Sequence, residues 1–304
     1  MPQRTRDVMI SSIDLFCLAA EHQSFTVAAQ LAGISPASVS KTIVRLEERL
    51  GIPLFIRTTR QVRLTEAGTR YAVQCRAALG LLHDAEQQAV GAQQMPSGTV
   101  RISLPAAYAH WRLFPLIPQF RQRYPLVELE FHISNHSVSF PRDACDLAIR
   151  GTEMADSSLI ARKLEDAALV MVASPGYLRQ HPMPHNLSDL ALHQCIRFVL
   201  PGTGRPAPWL VQENGETQEV GVKGGILCSE DYLGGLSLAL SGAGIYQMYR
   251  FVVSEALARH QLEEVLPSCS GATRPFYLIY PQVQHMPPSV RVLVEFILTN
   301  LRQT

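Results

Sequence analysis

The stretch that most narrows what this chain can fold into is residues 24–51, SFTVAAQLAGISPASVSKTIVRLEERLG. It predicts two short helices separated by a tight turn. Thr26 is placed as the cap of the first, its hydroxyl accepting from an unpaired amide of the first turn, with Val27, Ala28 and Leu31 on the apolar side. Gly33 ends that helix and opens the turn, and Ile34 is expected to fill the angle between the helices. Ser35 supplies the next N-cap and Pro36 the first helical position, where a missing N–H costs nothing. Val39, Ile43, Leu46 and Leu50 recur at spacings of four, three and four, which makes one buried face. The opposite face carries Ala37, Ser38, Ser40, Lys41, Val44, Arg45 and Glu48. Small hydroxyl residues near a helix start permit close approach and hydrogen bonds to phosphates or base edges, while Lys41 and Arg45 add phosphate charge or a guanine contact. Taken alone, the same pattern also fits an ordinary surface helix with a small polar face.

The flanking residues decide between these readings. After Gly51 comes IPLFIRTTRQVRLTEAG, in which Arg57, Thr58, Thr59, Arg60 and Arg63 form a short polar segment between Leu54–Phe55 and Leu64. That reads as a two-stranded wing with a basic tip, suited to phosphates or a minor groove. The candidate DNA-contacting set is Ser24, Thr26, Ser35, Pro36, Ala37, Ser38, Ser40, Lys41, Arg45, Arg57, Thr58, Thr59 and Arg60. The array AAQLAGISPASVSKTIVRLEERLGIPLFIRTTRQVRLTEAG resembles the amino-terminal domain of LysR-type transcriptional regulators, without a gap over about the first 65 residues. The SPASVS and RTTR forms resemble one large branch of that family. The resemblance implies an all-α winged helix-turn-helix domain plus a long linker helix that dimerises, followed by an α/β two-lobed domain of periplasmic-binding-protein type that binds an effector. It implies double-stranded operator DNA and a small organic effector as partners, and a homodimer or homotetramer.

Charge agrees with that division. Residues 1–65 hold eight Lys/Arg and five Asp/Glu, whereas residues 96–304 hold 17 and 18, so a modest basic excess sits on the proposed DNA domain. No apolar run reaches the length of a membrane span, and the start, MPQRTRDVMISSIDL, lacks the stretch a signal peptide needs. A cytoplasmic, globular chain with no membrane partner is expected. Cys17, Cys75, Cys145, Cys195, Cys228 and Cys269 are scattered without a CxxC pair, and the ten histidines show no ligand spacing. Buried reduced thiols, no metal and no cofactor are expected. No GxSxG elbow, HExxH or Walker loop occurs, and the GxGxxA match at Gly202 contains Pro206, a poor helix start. An enzyme is therefore not expected. A solute-binding receptor or an enzyme on the same lobes stands as the alternative function.

Along the chain, Ile10, Ile13, Phe16, Cys17 and Ala20 fit one face of a first helix capped by Ser11 or Ser12, with Phe25 packed below it. Thr65 caps a long helix in which Tyr71, Cys75, Ala78, Leu82, Ala85 and Ala89 repeat at four and three, a heptad seam that fits either a dimer or packing on the chain's own domain. The dimer is preferred, because a helix-turn-helix usually reads paired half-sites. Residues 1–65 are assigned to DNA binding, 66–96 to the dimerising helix and hinge, and 97–304 to effector binding. Within the last, lobe I takes about 97–160 and 268–304, and lobe II about 161–267. TVRISLP, a helix over 111–124, VELEFHIS and CDLAIR read as a parallel α/β unit, and LVMVAS, PGYLRQ, CIRFVL, GGILC, a helix over 231–241 and GIYQM as a second. FYLIYP and the final helix return to the first. DLAIRG, SPGYL and the Gly-Ala-Gly before Ile245 carry the family resemblance here.

Ligands of such sheets bind at the carboxyl ends of the strands. The candidate effector residues are Ala107 and Tyr108 after the first strand, Ser134 and Asn135 after the second, and Arg150 after the third. Ser229 at a strand-to-helix turn, Tyr246 and Gln247 complete the set. Amides near Ala107 could hold a carboxylate and Arg150 could pair with one; a salt bridge from Arg150 to Asp143 or Asp146, a capping Ser229 and buried packing of Tyr246 and Gln247 are the competing structural roles. The mixture suits an anionic or aromatic effector.

Overall fold

The computed structural model describes all residues except 1–2, 58–61, 90–94, 137, 139, 144, 152–157, 214, 284–285 and 302–304. They fall into two compact units, one built on residues 1–95 and the other on most of 96–304.

The first unit packs α1 (Gln3–His22), α2 (Phe25–Ala32) and α3 (Pro36–Leu50) against a two-stranded wing, β1 (Phe55–Arg57) and β2 (Val62–Leu64), and the start of α4 (Glu66–Ala89). Phe16, Ala28, Val39, Ile43, Leu46 and Leu54 are at its centre. Phe55 receives Phe16 and Phe25 edge-on at 5.6 and 5.2 Å. The turn between α2 and α3 follows the expected grammar with one shift. Ser24, not Thr26, caps α2, its Oγ accepting from Val27 N at 3.3 Å. Ser35 caps α3, and Pro36 opens it. Gly33 and Gly51 end the two helices at φ 67° and 69° with open space around them, so conformation rather than crowding requires glycine there. Leu31 and Ile34, expected inside, are exposed; Ala28 and Ala29 are the buried residues of α2. α1 begins at Gln3, so neither Ser11 nor Ser12 is its cap.

Thr65 caps α4 as expected: its Oγ1 accepts from Gly68 N at 2.9 Å and donates to Pro53 O at 2.8 Å, tying the helix start to the approach to the wing. The heptad seam divides. Cys75 is buried in the core of this unit and Tyr71 packs on it, so the first turns serve their own domain. Ala78 and Leu82 are exposed.

In the second unit, β3 (Gly98–Leu104) leads into a continuous helical run: α5 (Ala106–Tyr108), a π turn (Ala109–Leu113), a 3-10 turn (Phe114–Leu116) and α6 (Ile117–Arg123). The run starts five residues before the expected helix, and Pro115 and Pro118 interrupt its ladder. Next come β4 (Val127–Ile133), a short α7 (Phe140–Asp143), β5 (Leu147–Arg150) and the long β6 (Leu159–Ala173). α8 (Pro175–Gln180), β7 (Cys195–Val199), a hairpin of β8 (Trp209–Glu213) and β9 (Glu216–Val220), and β10 (Ile226–Ser229) follow. The chain ends with α9 (Tyr232–Leu240), β11 (Ile245–Tyr249), α10 (Arg250–Ala258), β12 (Glu263–Val265), β13 (Thr273–Pro281) and α11 (Pro288–Leu301). Strand order is β10-β7-β11-β6-β13-β5-β3-β4, with β12 also on β6. β3, β4 and β5 are parallel, as are β7, β10 and β11, but β6 and β13 run antiparallel to their neighbours. The sheet is therefore mixed rather than parallel throughout, because the connecting strands must enter one lobe and leave the other. Lobe I hangs on one half of β6 and lobe II on the other.

All six cysteines are free thiols. Burial pushes Cys17 and Cys145 up to about 12 and Cys195 to about 11, which keeps them protonated and inert near neutral pH. No helix among the described residues is long and apolar enough to cross a membrane.

A Cβ at Gly68 would lie 2.0 Å from Leu54 O, a backbone atom that cannot swing aside. Gly68→Ala should destabilise the first unit by about 1–3 kcal/mol through overpacking, seen as an earlier transition on thermal or urea melting; an unchanged melt would show that α4 does not seat against the wing as described.

Candidate nucleic-acid interface and effector site

α3 presents Pro36, Ala37, Ser38, Lys41, Val44, Arg45 and Glu48 to solvent, with Ser40 half-buried at the edge. Ser35 and Ser38 hydroxyls lie 2.8 Å apart at the helix start. Ser24 is half-buried and its Oγ is occupied by capping, while Thr26 stays exposed. Thr58, Thr59 and Arg60 lie outside the described residues.

Sequence reasoning missed the residue that aims this surface. Glu47 points away from the exposed face, and its Oε1 accepts from Leu54 N at 2.8 Å and Phe55 N at 2.9 Å. Its Oε2 pairs with Arg57 Nη2 at 2.8 Å. Arg57 also donates to Ser40 Oγ at 3.3 Å and lies over the Phe25 ring at 5.0 Å. One carboxylate therefore locks the wing to α3, and Arg57 is held within the unit instead of standing free for a phosphate. The signal available in the sequence was an acidic residue inside a helix otherwise facing polyanion.

In the second unit, the ends of β4 and β10 face each other across the two lobes. Asn135 Nδ2 donates to Glu230 O at 2.8 Å, and His136 Nε2 meets Glu230 Oε2 at 2.6 Å. Glu230 adopts φ 64°, a left-handed conformation that non-glycine residues rarely take. Deeper in, Arg112 on the π turn forms a two-pronged pair with Glu165 of β6 at 2.8 and 2.9 Å and lies 4.4 Å from the Phe251 ring of lobe II. His136, Glu230, Arg112 and Glu165 were not singled out from sequence; their partners are 53 and 94 residues apart.

Most of the nominated effector residues are already engaged. Arg150 is 6% exposed and donates to His136 O, Ser103 O, Ile149 O and Ser103 Oγ at 2.7–2.9 Å. Through these contacts it carries the loop that displays Asn135 and His136. Gln247 pairs through both ends of its amide with the Leu210 peptide, at 2.9 and 2.7 Å, anchoring the β8–β9 hairpin. Tyr246 is buried, donates to Tyr232 O at 2.9 Å and covers Gly235, where a Cβ would come within 2.4 Å of its ring. Burial pushes its phenol far up. Ala107 packs into the lobe II apolar cluster, and Tyr108 lies tilted against Phe276 at 4.4 Å and edge-to-face with Phe251 at 6.3 Å, its hydroxyl buried without a hydrogen-bond partner among the described residues. Ser134 turns its Oγ to His136 N at 3.1 Å. Asp231, not Ser229, caps α9, and Ser229 remains exposed. Of the set, Asn135 makes a contact across the lobes, Ser134 and Ser229 flank that contact in sequence, and Arg150, Tyr246 and Gln247 are buried and engaged. An open groove of about 860 Å³ lies elsewhere on lobe II, lined by Ser174, Tyr177, Arg179, Gly242 and His260, and takes in none of them.

Residues 10–69 match the model of the bacterial regulatory helix-turn-helix protein, lysR family, and residues 93–302 that of the LysR substrate binding domain. The HTH-type transcriptional regulator PtxR of Pseudomonas aeruginosa is 32% identical over 299 residues, covering 98% of this chain and 95% of that protein. The structure of CrgA, a LysR-type transcriptional regulator from Neisseria meningitidis, is 30% identical and matches with a TM-score of 0.60, covering 96% of this chain and 99% of that one. The full-length Vibrio cholerae virulence activator AphB, at 29% identity, matches with a TM-score of 0.61 over 96% and 99%.

Glu47→Ala should cost about 1–3 kcal/mol, since two amides and a guanidinium lose a charged acceptor at once. Hydrogen exchange should localise the loss to the Leu54 and Phe55 amides, and protection retained at both would remove Glu47 from this role.

Proposed function

The chain belongs to the LysR family of transcriptional regulators, and from that premise we propose how its parts divide the work. It is a DNA-binding transcriptional regulator with an effector-binding domain, not an enzyme. α3 enters the major groove, with Ser38 and Ala37 close to base edges and Lys41 and Arg45 on phosphates or guanine. The observation that carries this reading is the exposed face of α3, from Pro36 to Glu48, left open by a unit whose core is complete without it. Arg57 acts as a buttress, and the basic tip with Arg60 supplies wing contacts. Such a protein works where its DNA lies, in the cytoplasm.

Effector control needs two lobe arrangements that a ligand binds unequally, because equal binding shifts no population. The His136–Glu230 contact is well suited to be broken. Both side chains are more than half exposed, and an exposed ion pair contributes about 0–1 kcal/mol. A small anionic or aromatic molecule entering between the lobes would need only a few such contacts to reset the balance. Pairing of chains falls to the exposed part of α4 at Ala78 and Leu82, together with surfaces of the second unit.

Salt titrations of operator binding test the first element. Lys41→Ala and Arg45→Ala should each flatten the slope of log affinity against log salt by about 0.9 if the side chain neutralises one phosphate. Ser38→Ala should leave the slope alone and erode discrimination at one base position by about 1–3 kcal/mol. Wild-type affinity and discrimination in all three would reject α3 as the reading helix. Leu82→Glu, placing like charges across the seam, should abolish the paired footprint; a monomer by light scattering that holds operator as tightly as wild type would rule out pairing through α4.

A further inference from the structure

The open groove on lobe II is built from three separate pieces of chain: α8 with the residue before it, the end of α9, and the turn after α10. Its volume of about 860 Å³ falls among small-molecule sites, which span about 300–1,000 Å³. It shares no residue with the Asn135–His136–Glu230 contact across the lobes. Tyr177 backs the groove and is itself fixed. Its phenol oxygen accepts from Gln194 N at 3.0 Å and meets His193 Nδ1 at 3.2 Å.

Polar atoms converge on vacant space in this groove. Ser174 is 5% exposed, and its Oγ accepts from Tyr177 N at 3.2 Å. Its own O–H meets no acceptor among the described residues, and a buried donor left unmatched calls for a partner. A Cβ on Gly176 would lie 3.7 Å from that Oγ and 3.7 Å from Arg179 Nη2. A Cβ on Gly242, at the end of α9, would lie 3.5 Å from the same Oγ. These are ordinary van der Waals distances, so an added atom fits at either point without displacing its neighbours. An exposed guanidinium alone is a solvated surface charge. Arg179, without a hydrogen bond or ion pair among the described residues, instead faces the same vacant point as a buried hydroxyl.

The sign of the groove is also defined. None of its described lining residues carries a carboxylate, whereas Arg179 and His260 are basic. α9 and α10 both end here, and helix C-termini oppose an anion. Their last carbonyls are already taken, however. Ala239 O and Leu238 O accept from Gly242 N and Ala243 N, while Leu257 O and Ala256 O accept from His260 N and Gln261 N. The last of these turns holds His260 at φ 54°, a left-handed conformation uncommon outside glycine. What remains for a ligand is a guanidinium, an imidazole, a hydroxyl and the side-chain amides of Gln180 and Gln261.

We propose that this groove is a ligand site of its own, and that it takes a phosphate monoester on a small hydroxylated body. Two carboxylate oxygens would be satisfied by the guanidinium fork alone. An ester phosphate presents three acceptor oxygens, which suits donors arriving from separate elements. The phosphate occupies the space between Ser174, Gly176 and Arg179. The rest of the groove, far larger than one phosphate, receives the hydroxylated body against the two glutamine amides.

Calorimetry on the full-length chain with glycerol 3-phosphate, inorganic phosphate and glycerol tests the assignment. Wild type should bind glycerol 3-phosphate, bind inorganic phosphate more weakly, and show no heat with glycerol at the same concentration. Arg179→Gln should weaken glycerol 3-phosphate by about tenfold or more. Gly176→Leu, whose side chain would fill the space between Ser174 and Arg179, should abolish binding with the melting temperature preserved. His260→Asn, a residue that tolerates the left-handed turn, should weaken binding by a smaller factor. Wild-type affinity in Arg179→Gln would overturn the proposal, as would no binding of glycerol 3-phosphate up to millimolar concentration. Full binding by a folded Gly176→Leu would place the anion elsewhere and overturn it too. Inorganic phosphate or glycerol matching glycerol 3-phosphate would reject the monoester. Should Gly176→Leu fail to fold, Arg179→Gln and His260→Asn decide, and wild-type affinity in both overturns the site.

Discussion

Both lobes of the second unit depend on a single strand. β6 pairs with β13 from Leu159 to Ala168, and with β11 and β12 from Leu169 to Ala173. The register slips once, between Phe276 and Tyr277, where Glu165 and Lys163 are the partners and Leu164 is the extra residue. A bulge raises local twist and bends the strand that carries it. This one is flanked by Glu165, which Arg112 grips from lobe I while leaning on Phe251 of lobe II. The site of bending and the polar contact that reports lobe position are therefore neighbours on the same strand.

The DNA-facing unit is organised on the same economy of parts. Its helices are defined by local signals, but the wing is too short to hold its own angle: each strand has three residues. Glu47 supplies the missing constraint by accepting the first amides of β1 and closing a charge pair over the Phe25 ring. A carboxylate on a helix that approaches DNA is electrostatically unfavourable unless a cation neutralises it, and Arg57 does so within the unit.

What the sequence made legible follows from the range of the interactions. The caps at Ser35 and Thr65, the helix-ending Gly33 and the apolar spacing of α3 are contacts within about one turn, and the sequence shows them. Thr26 was displaced by Ser24 because Phe25 is itself helical and packs on Phe55, a partner 30 residues away. The same limit governed the effector set. Strand ends set the choice of Arg150, Tyr246 and Gln247, but Ser103 and Leu210 engage Arg150 and Gln247 from 47 and 37 residues away. Whether a polar side chain is available or occupied is a property of the fold, not of its own neighbours in sequence. The Asn135–His136–Glu230 contact is a further case, visible only once the lobes are assembled.

The caps that bound α3 also limit how much it can read. Between Ser38 and Arg45 the exposed face advances seven residues, about 10 Å at 1.5 Å per residue. Successive base pairs are stacked about 3.4 Å apart, so one helix covers about three of them. Three positions with four bases each distinguish only about 64 sequences, however tight each contact is. A chromosome offers far more competing sites than that. Leu50 cannot hand the helix on to further residues, because Gly51 turns the chain away at φ 69°. Finding one address therefore requires a second copy of the helix on the same DNA, and pairing of chains becomes a demand of information before it is one of affinity.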